Sequence, residues 1–241
     1  MLDAWLDLVH GSRCVGCATP GRLLCRACAA LLPGTGVPVR PTPCPPGLAT
    51  CSAAGEYAGL LRLLVLAHKE HRAFALARPL GDVLAGVIGS LPGLSHPDQQ
   101  ARLLLVPVPS RGRVVRQRGH DPMLRVTRRA AAVLRSRGRL VQAVPLLRHR
   151  VPVGDQAGLT SAQRAANLRD SLAVRPAALG ALARRRSPLV TVVCDDVLTT
   201  GATAREAQRA LEDVGLVVAG IGCVAATRRR RPPLPFSSDP D

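Results

Sequence analysis

Aromatic side chains are almost missing from this chain of 241 residues, which has only Trp5, Tyr57, Phe74 and Phe236. Proteins that hold single-stranded nucleic acid stack successive bases on several aromatic faces, so a stacking platform is not expected. Lysine is scarcer still, with Lys69 alone among 33 basic residues. The others are arginine, and with so much alanine, glycine and proline this has the mark of GC-rich coding. The net charge of +17 therefore says less about a polyanionic partner than its size suggests. Charges or prolines interrupt every apolar run before the roughly 20 residues that a membrane helix requires. Asp3 and Asp7 stand where a secretory signal would have basic residues and an unbroken apolar segment. These absences lead to the expectation of a cytoplasmic protein with no membrane span.

What is present suits one α/β domain with a small appendage. Residues 1–32 form a cysteine-bearing head and residues 33–50 a linker. Residues 51–227 form the body, and a tail from 228 is expected to be disordered. The linker holds Pro33, Pro38, Pro41, Pro43, Pro45 and Pro46, too many fixed φ angles and missing amide donors for a helix or a central strand. It reads as a spacer. In the body, residues 60–66 and 73–88 read as helices and 102–107 as a buried strand without alternation. Pro122 opens a helix running to 137, residues 140–147 form a strand, and 161–168 a short helix. Residues 189–194, 204–214 and 216–226 then read as strand, helix and strand, a βαβ unit with a right-handed crossover.

The strand-to-helix junction of that unit carries the chemistry. Val190-Thr-Val-Val-Cys-Asp-Asp-Val-Leu-Thr-Thr-Gly-Ala-Thr203 sets two carboxylates at the C-terminal end of a parallel strand, the edge where open α/β sheets bind ligands. Gly201 lets the backbone approach an anion. The amides around Ala202 and the helix N-terminus favour a phosphate, and Thr199, Thr200 and Thr203 add hydroxyl donors. Acids beside a phosphate cradle repel unless the ligand is a sugar phosphate, whose vicinal hydroxyls donate to Asp195 and Asp196. Thr203 to Glu206 also fits a capping box, but capping leaves two adjacent acids at a strand end without a reason. Position by position, the run resembles the signature by which type I phosphoribosyltransferases bind 5-phosphoribosyl-1-diphosphate (PRPP).

That resemblance implies a type I phosphoribosyltransferase fold, a parallel sheet flanked by helices. It also implies that the turn after residue 107, with Val108, Ser110 and Arg111, receives the diphosphate. Arg113, Arg116, Arg118, Gly119 and His120 form a basic stretch suited to closing over that group. An arginine-rich solvated loop is the plainer alternative for each one taken singly.

In the head, Cys14-x2-Cys17 and Cys25-x2-Cys28 are two knuckles with Pro20-Gly21 between them. Four thiolates match a closed tetrahedral zinc site, which would be structural in a segment too small for a core of its own; a pair of disulfides is the alternative. Cys44 and Cys51 read as free thiols, and Cys194 and Cys223 as small core residues.

The zinc-type head, the Val-Pro-Val-Pro turn, Arg-Gly-His and Asp-Asp-x-x-Thr-Thr-Gly-Ala-Thr, in this order, resemble the ComF family of bacterial phosphoribosyltransferase-like proteins. The likeness takes in Ala67-His-Lys69 before a helix, and Asp155-Gln-Ala-Gly-Leu-Thr-Ser-Ala-Gln-Arg-Ala-Ala-Asn167. It departs where His120 and Asp121 replace the family's phenylalanine and asparagine. The family implies a link to competence, incoming single- or double-stranded DNA and the competence machinery. It also implies phosphoribosyl transfer with release of diphosphate, Mg²⁺ accompanying PRPP and Asp196 as candidate base. The alternative is a non-catalytic DNA- or partner-binding protein that keeps the fold and uses PRPP or a nucleotide as effector.

Overall fold

The computed structural model describes residues 12–70, 73–94, 101–110, 121–150, 170–183 and 188–227. Six strands form the main sheet: β1 (Val37–Val39), β2 (Cys51–Ala53), β3 (Arg102–Pro107), β4 (Val141–Ala143), β7 (Leu189–Leu198) and β8 (Val218–Ala226). Their order is β1-β2-β8-β7-β3-β4, parallel throughout except for the antiparallel edge strand β1. A separate antiparallel pair is made by β5 (Leu147–His149) and β6 (Leu172–Val174).

Helices cover both faces of the sheet, which is why β3 and β7 read as unbroken apolar runs. Leu103 and Leu105 point into one core with α2 (Gly59–Glu70), α3 (Ala77–Gly89) and α4 (Pro122–Ser136). Leu104 and Val106 point into another with α5 (Pro176–Ala183), α6 (Ala202–Glu212) and the β5–β6 pair. The helix α1 (Arg26–Ala30) belongs to the cysteine head. On α6, buried Glu206 and half-buried Arg209 hold β6 by its backbone. Glu206 accepts from the Leu172 amide at 3.0 Å, and Arg209 donates to the Leu172 carbonyl at 3.1 Å.

Several expectations need correction. The strand expected over 140–147 is two strands, because Pro145 cannot donate to a ladder; β4 stays with β3 while β5 leaves to pair with β6. The helix expected over 73–88 opens as a 3₁₀ turn at Phe74–Leu76 and becomes α-helical from Ala77. The 33–50 segment is more than a spacer. It supplies edge strand β1, and Arg205 and Gln208 of α6 donate to its Pro46 and Gly47 carbonyls at 3.1 and 2.9 Å. Proline suits that place, since an edge strand tolerates a missing donor. The expected helix at 161–168 and the tail from 228 lie outside the described residues. Among the described residues, no helix is long and apolar enough to cross a membrane.

Candidate functional site

β7 runs on to Leu198, so Asp195 and Asp196 sit in its last turn of pleat, at the C-terminal edge of the parallel strands. Successive strand residues face opposite ways, and the two acids accordingly find different surroundings. Burial, reinforced by the charge of Asp196, pushes the Asp195 carboxyl up to about 7 even though its Oδ1 accepts the Asp196 amide at 2.9 Å. Asp196 instead meets Lys69, whose Nζ lies 2.6 Å from its Oδ2. Burial alone would lower the Lys69 ammonium; Asp196, with Asp195 and Tyr57, outweighs it and raises the lysine above its ordinary value. A cleft of about 10 Å³ lies among Lys69, His68, Pro122, Met123 and Asp196. His68 is buried there, with Nδ1 3.2 Å from the Ala73 carbonyl and Nε2 3.3 Å from that of Pro122.

Lys69 is the residue that reading the motif alone missed as a partner of the acids. Ala67, His68 and Lys69 were placed before a helix and lie instead in the last turn of α2. The available signal was compositional: a single lysine in a chain that otherwise uses arginine.

Beyond the acids, Thr199 and Thr200 are exposed and Gly201 is buried at φ 72°, the left-handed region. Gly201 is the N-cap of α6 and offers no side-chain cap; the Thr200 hydroxyl, 3.4 Å away, accepts from the Ala202 amide. The helix therefore presents first-turn amides beside three threonine hydroxyls, the donor set that an oxyanion fits. Gly201 is needed for a reason other than room for that anion. A Cβ there would lie 2.9 Å from Pro41, 3.0 Å from Leu48 and 3.3 Å from Pro45, all in the 33–50 segment.

Val108 extends β3 by donating to the Cys194 carbonyl at 2.9 Å, which sets the next turn beside the acid pair. Ser110 ends the described part of that turn. Its amide and hydroxyl both donate to Asp121, each at 3.3 Å, while Asp121 also caps α4 through the Met123 amide at 3.0 Å. Arg111, Arg113, Arg116, Arg118, Gly119 and His120, and the run from Asp155 to Asn167, lie outside the described residues.

In the head, the Sγ atoms of Cys14, Cys17, Cys25 and Cys28 all lie within 4.8 Å of one another. Zinc–sulfur bonds of about 2.3 Å in a tetrahedron require sulfurs about 3.8 Å apart, and Cys17 and Cys25 stand at 3.6 Å. Amides are aimed at the sulfurs: Cys25 N–H donates to Cys14 and Cys28 N–H to Cys25, each at 3.4 Å. Burial opposes ionisation of Cys14, yet the amides of Cys25, Cys17 and Gly16 bring it down to about 6. Hydrogen bonding with Cys14 and Cys25 pushes Cys28 up to about 12. Opposed shifts on neighbouring thiols are what a bound dication would reconcile, since a coordinating thiol is deprotonated. The cluster can hold a metal such as zinc. Elsewhere Cys44 is half-buried, and Cys51, Cys194 and Cys223 are buried in the core.

No protein-family model matches the chain, and no curated protein matches it in sequence.

Proposed function

We infer that the edge formed by β7, α6 and the turn after β3 is a PRPP site, and that the protein is a phosphoribosyltransferase-like protein of the ComF type. The observation that carries this reading is the junction at Asp195 to Thr203. Two acids there end a parallel strand, and the chain then turns through Gly201, which offers no side-chain cap, into α6. In this reading Asp195 and Asp196 accept the ribose hydroxyls, Thr199 to Thr203 donate to the 5′-phosphate, and Val108 and Ser110 meet the diphosphate with Mg²⁺. The Ser110 amide and hydroxyl, satisfied by the Asp121 carboxylate in the free protein, are donors suited to an anion.

Diphosphate is a good leaving group, so transfer to a nitrogen nucleophile would rest on positioning and electrostatic stabilisation. Lys69 occupies Asp196, while burial and the neighbouring Asp196 charge hold the Asp195 carboxyl above its ordinary range. The proton-accepting role assigned to Asp196 is thus better given to the two acids as a pair.

Calorimetric titration of PRPP with and without Mg²⁺ tests the assignment. Magnesium-dependent binding is expected. The Asp195→Asn, Asp196→Asn double variant should weaken PRPP by about 1.5 to 3 kcal/mol for each charged hydrogen bond lost and spare inorganic phosphate. Wild-type protein that ignores PRPP would refute the reading.

A further inference from the structure

The one lysine of the chain stands against the pair of acids that ends β7, and composition makes that placement informative. Wherever else this sequence carries a permanent positive charge, it uses arginine. At position 69 the ammonium touches Asp196 at 2.6 Å, and both side chains line a cleft of about 10 Å³, room for about one water molecule. An ammonium is a compact point charge with three rotatable donors, whereas a guanidinium spreads its charge over a rigid planar fork of five. The same cleft is bounded by Pro122 and Met123, the first residues of α4, and α4 is tied through Asp121 to the Ser110 turn. Lys69 thus shares a cleft with Asp196 and with the start of the helix that is tied to the turn assigned to the diphosphate.

Resting on the PRPP reading of this edge, we propose that Lys69 is a specificity-determining residue. Its ammonium seats Asp196 in the free protein and transfers to an anionic oxygen on the diphosphate side of the ligand once the ribose hydroxyls have taken over that carboxylate. The exchange keeps both charges satisfied only if the ligand brings a vicinal diol and a nearby anion together. A sugar phosphate with a 5′-phosphate and no 1-diphosphate would occupy the acids and the helix terminus but leave the ammonium unpaired. Discrimination for PRPP over ribose 5-phosphate then resides in Lys69, and the helix terminus contributes equally to both ligands.

The test is calorimetry of the full chain with PRPP plus Mg²⁺ and, separately, ribose 5-phosphate, on wild type, Lys69→Met and Lys69→Arg. Loss of one charge-assisted contact predicts PRPP binding weaker by about tenfold or more in Lys69→Met, with ribose 5-phosphate unchanged or tighter. Lys69→Arg keeps the charge, should melt near wild type, and is expected to lose PRPP selectivity as well. Parallel weakening of both ligands, unchanged PRPP binding in Lys69→Met, or full selectivity in Lys69→Arg overturns the role given to Lys69. Wild-type protein that binds neither ligand overturns the PRPP reading itself and the inference with it, so the two failures are separable.

Discussion

Gly201 occupies a position with two independent demands on it. Its φ of 72° disfavours any residue with a Cβ, and that Cβ would press on Pro41 and Leu48 at 2.9 and 3.0 Å. Prolines move little, so the strain has no cheap outlet. Gly201→Ala is expected to destabilise the protein by about 1 to 3 kcal/mol, and Gly201→Val by more, because branching adds to the crowding. Both should also weaken inorganic phosphate, since the turn aims the first amides of α6. Urea unfolding and phosphate titration check the two effects; a Gly201→Val protein with wild-type stability and phosphate binding would contradict this account. The sequence made Gly201 stand out for the anion's sake, and the packing reason stayed hidden because the touching residues lie some 150 positions away, in a segment that reads as a spacer. Lys69 was obscured in the same way, its partner Asp196 being brought to it only by the packing of α2 against the sheet.

Among the elements, those whose apolar pattern is set by two-sided burial were legible. β3 was delimited at 102–107, and α4 and β8 nearly so, because Pro122 opens the helix and the strand carries a long apolar run. Short elements were not. β1, β2 and β6 have three residues each, too few for any period, and depend on a neighbouring strand or on α6 for their hydrogen bonds. The cysteine head lies between these cases, since the spacing of four cysteines specifies its cluster while its seat depends on tertiary contact. A Cβ on Gly16 would lie 2.8 Å from both Cys28 Sγ and Leu60 of α2, and Val15, Leu23 and Leu24 pack against the core. One zinc per chain is expected by metal analysis. Cys25→Ser should lose it and lower the melting temperature, because the head then leaves α2, while the far-ultraviolet dichroism of the sheet and helices persists. Protein purified with four cysteines intact and no zinc would defeat the prediction, as would global unfolding of Cys25→Ser.

For the whole molecule, 33 basic residues face 16 acidic ones, and one of those few acids, Asp195, is half-buried at the end of β7 beside a second acid. Arginine does not titrate below about pH 12, so the positive charge is constant across the range in which the carboxylates change. Surface acids, as they ionise, relieve self-repulsion and raise stability with pH. Asp195 acts in the opposite direction. Its carboxyl, ordinarily near 3.8, is pushed to about 7 in the folded chain by burial and by Asp196. Between those two values the native state retains a proton that the unfolded state has released, so this group's contribution to stability falls as pH rises through the window and is constant above it. Comparison with Asp195→Asn isolates that contribution from the surface charges, which the two proteins share. The stability difference should shift in favour of the variant as pH rises from about 4 to about 7, with a slope approaching 1.4 kcal/mol per pH unit at most, and then level off. Urea unfolding of both proteins from pH 4 to 8.5 measures the difference; a gap that does not change with pH, or one that moves towards the wild type, would show that Asp195 is ionised throughout that range.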